Sequence, residues 1–207
     1  MPKCIFKGKK EKKGGKMEIF NSQKPKTYSD DYIATIANKV RESLKLERPY
    51  SPEEVVKKLC GEINETINEE YVDAYIKKSG ETSFIIQLNA DRAKTRKSFT
   101  IAHELGHLFL HMGFLIDDEK WNAINEDYQD SAFYRMSGHN IPGFYAQEEH
   151  EANVFAANFL MPKDEFIRVA NDNLDGNRYN LSPIAEYFDV SEPAVANRGK
   201  WLGIFKW

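Results

Sequence analysis

Residues 103 to 107 read His103-Glu104-Leu105-Gly106-His107 and lie in a stretch whose apolar residues recur at helical spacing. On an α-helix, residues four apart are separated by about 40° around the axis and one turn along it, so both imidazoles can reach a single metal ion. Glu104 projects from the same turn. There it can take a proton from a zinc-bound water and pass it to a leaving amine, the role that HExxH gives its Glu. Such a turn constrains the whole chain, because a zinc site of this kind needs a third protein ligand and one open position.

The flanking residues predict a helix from about Phe99 to Met112. Ser98 and Thr100 are N-cap candidates, and Gly113 stands where a C′ glycine ends a helix. Gly106 costs about 1 kcal/mol relative to Ala in a helix interior, which implies that another backbone approaches closely there. The competing reading is two core histidines and a tolerated glycine. Cores rarely spend two His and a Glu on one turn unless these are paired.

For the third ligand the sequence offers His111, His139, His150 and several carboxylates. His111 follows His107 by four residues and could share its face, but the glycine turn that precedes the third His of metzincins is absent. A stronger candidate lies in Gln147 to Pro162, which reads as a second helix stopped at Pro162. Glu149 and Asn153 are four apart on it, so a carboxylate ligand and an amide able to orient a ligand histidine would share one face. Glu151 points about 200° away from Glu149.

Phe99-Thr100-Ile101-Ala102-His103-Glu104-Leu105-Gly106-His107, together with Glu149-His150-Glu151-Ala152-Asn153-Val154-Phe155-Ala156-Ala157 and Phe159-Leu160-Met161-Pro162, resembles the ImmA/IrrE family of metallopeptidases. The resemblance runs over roughly Ser51 to Gly203. Phe84 to Asn89 is similar to the strand before the active helix, Phe133-Tyr134-Arg135 to an element between the helices, and Leu181 to Gly203 to the C-terminal helical segment. It implies a zincin-like core, zinc held by His103, His107 and Glu149, and Glu104 as general base. It also implies a helix-turn-helix repressor as substrate, since members commonly cleave one. The stretch from His107 to Glu149 is long for the family, so the loop shaping the cleft is expected to be peculiar to this chain.

Composition narrows the setting. With 207 residues, 41% apolar and 13% aromatic, the chain can bury one sizeable core. Cys4 and Cys60 do not make a disulfide framework and read as free thiols of a reducing, cytoplasmic compartment. The longest apolar run, Leu108 to Ile116, is interrupted by His111 and Gly113 and falls far short of the roughly 20 residues of a membrane span. Residues 1 to 16 carry seven Lys and one Glu, or +6, so a whole-chain charge of −3 leaves −9 for the rest. This leader has too little apolar sequence for a signal peptide. Residues 1–27 are expected to form a basic disordered tail, 28–165 the peptidase core, and 166–207 a C-terminal helical segment packed on it.

The order of elements predicts an α+β fold with a small mixed or antiparallel sheet. Tyr32, Ile33, Ile36, Ala37, Val40 and Leu44 mark a first helix, and Ser51-Pro52-Glu53-Glu54 opens a second with Ser51 as N-cap. Short strands or loop follow at Ile63, Ile67 and Val72 to Ile76, then a firmer strand from Ser83 to Leu88. If that segment is an edge strand beside the cleft, a peptide can bind by adding to it. Gly113 to Gln147 reads as a long aromatic loop able to line the cleft, with Tyr134, His139 and Tyr145 as possible oxyanion donors.

Leu181 to Arg198 reads as helix, Asp-Val-Ser turn and helix, with Ser191 capping the second helix. A DNA reader presents cations and amides there. Here Asn197, Arg198 and Lys200 are offset by Glu192 and by an acidic body, so direct DNA binding is disfavoured against packing or partner docking. The sequence thus points to a zinc endopeptidase. Its alternatives are a non-proteolytic, antitoxin-like regulatory protein and a DNA-binding regulator using residues 181–203.

Overall fold

The computed structural model describes residues 27–67, 73–124 and 143–205. The basic tail to residue 26, Cys4, Phe133-Tyr134-Arg135 and His139 lie outside the described residues, as does the side chain of Tyr145. Helix α1 (Asp30–Ser43) starts at Ser29, whose side chain accepts from the Tyr32 N–H, and buries Ile33, Ile36, Ala37 and Val40 along one stripe. Helix α2 (Pro52–Lys58) is capped by Ser51, which accepts from the Glu54 N–H, with Pro52 in the first turn where its missing donor costs nothing.

Three strands follow: β1 (Glu62–Thr66), β2 (Ala74–Gly80) and β3 (Ser83–Asn89). They form a mixed sheet in the order β1-β3-β2, with β1 parallel and β2 antiparallel to β3. Ser83 to Leu88 is therefore not an edge strand, and the condition for peptide addition is not met. Both of its edges are paired, and strand addition to it is excluded. Its alternation explains the central position: Phe84, Ile86 and Leu88 are all buried, whereas β1 is mostly exposed.

Helix α3 (Lys94–Gly106) continues without a break into a π-turn over His107–His111. It starts five residues before the expected Phe99. Ala93 precedes it with no side-chain cap, and Ser98 and Thr100 are buried within it. Lys94, Arg96 and Lys97 are good helix formers, and Arg96 is anchored to Asp73, so tertiary contact extends the helix where no cap signals its start. The C-terminal end lies where expected, at Gly113 with φ +79°. Trp121, read as part of an aromatic loop, is instead buried on the short helix α4 (Asp118–Ala123). It packs edge-on against Phe114 and donates from its indole to the Glu81 carbonyl.

Helix α5 (Gly143–Leu160) packs against both α3 and α1. Pro162 ends it and at once precedes α6 (Lys163–Asp172), which runs through residue 165, where the sequence suggested a division. A two-residue hairpin, β4 (Leu174–Asp175) with β5 (Arg178–Tyr179), leads to α7 (Leu181–Phe188) and α8 (Glu192–Trp201). The turn between these last helices places Asp189 at φ 51°, and Ser191 accepts from the Ala194 N–H, as the sequence suggests. Phe166, Val169, Ile184, Phe188 and Val195 join the same hydrophobic cluster as the sheet and α3. The fold is α+β. Among the described residues no helix is long and apolar enough to cross a membrane.

Candidate metal centre

His103 and His107 project from adjacent turns at the end of α3 and are 6% and 0% exposed. Their Nε2 atoms lie 3.0 Å apart. Glu149, from α5, brings its carboxylate to 3.4 Å from His103 Nε2 and 3.3 Å from His107 Nε2. One donor atom of each residue lies within 4.8 Å of the others, an arrangement able to hold a metal ion. Two imidazoles and a carboxylate are a donor set suited to Zn²⁺. Glu104, carried between the two histidines, is wholly buried.

The outer ring nitrogens are held as well. His103 Nδ1 lies 3.0 Å from Asn153 Oδ1, one turn beyond Glu149 on α5. An amide oxygen can only accept, so Nδ1 carries the proton and Nε2 presents its lone pair toward Glu149. His107 Nδ1 lies 2.9 Å from His111 Nδ1, and His111 Nε2 lies 3.0 Å from Glu151 Oε2. The carboxylate makes His111 Nε2 the donor. His111 Nδ1 is then the acceptor for His107 Nδ1–H, and the His107 lone pair also falls on Nε2. The donor set fits the ion because both histidines are fixed in the tautomer that offers Nε2.

This chain of bonds ends at Tyr28, just before α1. Glu151 Oε1 accepts from the Tyr28 backbone N–H at 2.9 Å and from Gln147 Nε2 at 3.0 Å. Burial pushes the Glu151 carboxyl up, but hydrogen bonds from His111, Gln147 and the Tyr28 backbone, with the electrostatic pull of the His111 ring, outweigh it and hold the group below the usual carboxylate range. The π-turn carries His111: the Met112 N–H donates to the His107 carbonyl at 2.9 Å, one residue wider than an α-turn. Such widened turns are frequent at functional sites.

Gly106 shows why this geometry needs a glycine. A Cβ there would stand 3.0 Å from Ala152 Cα and 3.1 Å from its carbonyl oxygen. The backbone of α5 thus approaches α3 at the turn that carries the histidines. Beside the centre, a cavity of about 740 Å³ is lined by His103 and Asn153 on one side and by Ala194, Asn197, Arg198 and Trp201 of α8 on the other.

The geometry brings together His103, His107, Glu149 and Asn153. His111, weighed as a third ligand, stands behind His107 rather than beside its Nε2. His150 lies on the surface, 3.4 Å from Asp30. The sequence reading did not foresee the pairing of His111 with Glu151, although the four-residue step from His107 was its signal. Arg198, counted among DNA-facing cations, is 3% exposed and donates to the Met161 carbonyl and to Asn158 Oδ1. This face of α8 is turned inward.

Comparison with known proteins places this arrangement in context. The family model described as Peptidase_M78, IrrE N-terminal-like domain, matches residues 63–200, from β1 into α8. A solved Mycobacterium tuberculosis transcriptional regulator has a similar fold, with a TM-score of 0.53 at 16% identity over 83% of this chain and 46% of that one. The chain thus spans less than half the length of that protein. No curated protein matches the chain.

Proposed function

Because the chain belongs to the Peptidase_M78 family, as an IrrE N-terminal-like domain, we propose that it is a zinc-dependent endopeptidase with a zincin-like core, acting in the cytoplasm on a helix-turn-helix repressor. The observation that carries this reading is the convergence of His103 and His107 Nε2 on the Glu149 carboxylate, with each imidazole fixed from behind. His103, His107 and Glu149 would hold the zinc. Bound there, the ion supplies Lewis-acid chemistry, acidifying water and polarising a peptide carbonyl. Glu104 accepts the proton of the attacking water and returns it to the leaving amine nitrogen. Asn153 holds the His103 ring in place, and the cavity between α3, α5 and α8 receives the substrate.

Purified protein should hold about one zinc per chain, and His107→Ala should lose it. Loss on Glu151→Ala with retention on Glu149→Ala would mean that the wrong carboxylate has been chosen. Glu104→Gln should keep zinc and fold while cleavage falls on the order of 10²–10⁴-fold. Intact cleavage by that variant would remove Glu104 as the base.

The repressor substrate rests on the family likeness. Mass spectrometry of fragments, after incubation of parent and Glu104→Gln proteins with any helix-turn-helix repressor encoded beside the gene and with unrelated proteins, tests it. Broad digestion would overturn selectivity. Full derepression in cells by Glu104→Gln would favour the non-proteolytic, antitoxin-like role instead. Direct DNA binding through residues 181–203 is disfavoured by the inward position of Arg198.

A further inference from the structure

Arg198 is a buried cation with no carboxylate partner among the described residues. Its Nε donates to the Met161 carbonyl at 3.1 Å, its Nη2 to Asn158 Oδ1 at 2.7 Å, and its guanidinium lies 5.4 Å from the centre of the Trp201 ring. Both acceptors are neutral. A guanidinium has five N–H donors, so these bonds use two. By contrast, Arg48 is matched to Glu165, and both Arg92 and Arg96 to Asp73. Burial pushes the Arg198 group down to about 10, which still leaves it charged at neutral pH. A charge removed from water without a counter-charge is costly unless something else neutralises it.

Arg198 lines the cavity that also receives His103 and Asn153. The charged groups on this lining are two guanidiniums, Arg96 and Arg198, against one carboxylate, Asp73. Asp73 is already engaged by Arg92 and Arg96. Phe99, Met161 and Trp201 supply apolar wall. The cavity is therefore cationic and apolar inside a body that carries net negative charge. An apolar peptide alone would leave the remaining guanidinium donors unmatched, whereas a carboxylate accepts two of them in a planar fork.

We propose that Arg198 and the cavity around it form a recognition site for a peptide carboxylate, either an acidic side chain or a free C-terminus, flanked by apolar residues. This deepens the peptidase reading by naming a chemical requirement on the substrate, and it rests on that reading for the ligand's being a peptide.

The test is fluorescence anisotropy with the full-length, zinc-loaded Glu104→Gln protein and three labelled pentapeptides. These are Ala-Leu-Glu-Phe-Ala amide, Ala-Leu-Gln-Phe-Ala amide and Ala-Leu-Gln-Phe-Ala with a free carboxylate. At least one carboxylate peptide should bind about tenfold more tightly than the Gln amide. Preference for the first identifies an acidic side chain, and preference for the third a chain terminus. Arg198→Gln should bring the affinities together. Because that residue also ties α8 to α5, a second pair of variants decides if it folds poorly. Ala194 lies four residues before Arg198 and lines the same cavity, so Ala194→Glu supplies an internal carboxylate and should abolish the preference, while Ala194→Gln, of equal bulk, should keep it. Equal affinity for all three peptides, no binding of any at millimolar concentration, or a preference that survives Ala194→Glu would overturn the proposal. Binding is read without turnover, so the two readings fail separately. A parent protein that holds no zinc and cleaves nothing but keeps the carboxylate preference would sink the peptidase and leave this site standing.

Discussion

His107 is held at both ends of its ring: Nε2 faces His103 and Glu149, and Nδ1 faces His111. His111 in turn is held by Glu151, 40 residues away in sequence. Outer partners of this kind typically change metal affinity by about 10–100-fold. His111→Phe keeps a ring of similar size but removes the acceptor, so it should lower zinc affinity by that order in competition with a chromophoric chelator. His111→Gln, which can still accept, should recover part of the loss. Unchanged affinity in His111→Phe would detach this residue from the metal centre.

The crossing of α3 and α5 is where element packing becomes chemistry, because it sets the separation of Glu149 from the two histidines. Alanine is the better helix former by about 1 kcal/mol, yet Gly106→Ala should destabilise, since the Cβ meets the backbone of Ala152, which cannot rotate away. Overpacking of this kind costs about 1–3 kcal/mol. Urea unfolding should show the loss, with weakened zinc binding beside it as the helices part. A gain in stability would mean that the crossing relaxes without cost.

A second joint ties the entry of β2 to the start of α3 through Asp73, Arg92 and Arg96. Burial pushes the Asp73 carboxyl up, but the two guanidiniums outweigh it and hold it below its ordinary 3.8. A depressed carboxylate contributes stability that is present above its unfolded value and is lost as pH falls through the folded one. Asp73→Asn should therefore lower the urea midpoint at neutral pH. The gap to the parent should close as the pH is taken below about 3.8. A gap independent of pH would assign the effect to lost hydrogen bonding rather than charge.

At the scale of the molecule, the C-terminal helices are structural partners of the helices that carry His103, His107 and Glu149. Arg48 bonds Glu165 and the Leu160 carbonyl and lies over the rings of Tyr50, Tyr187 and Phe188, joining the early chain to α5, α6 and α7. Phe166 stacks on Phe188, and α8 closes one wall of the cavity. A fragment ending at residue 165 would expose this shared core, so it should lose cooperative unfolding and zinc binding together. A fragment that melts cooperatively with zinc bound would establish 28–165 as an autonomous domain.

Some of this was legible in the residues alone, because it depends on neighbours a few positions apart. The helical step fixes His103 beside His107 and Glu149 beside Asn153, Ser51 and Ser191 cap the turns that follow them, and Gly113 closes the helix with its positive φ. The tight residue at Gly106 could be sensed, though not its partner. Contacts between distant residues were decided only by packing. β3 takes the centre because it is buried on alternate positions and paired on both sides, Trp121 turns inward to fill the core beside Phe114, and His111 meets Glu151 of α5 behind His107. Arg198 reads as a surface cation in sequence and becomes a buried one because α8 lies against α5. Local spacing constrains angles along one helix, whereas burial and charge pairing depend on which other segment occupies the opposite side.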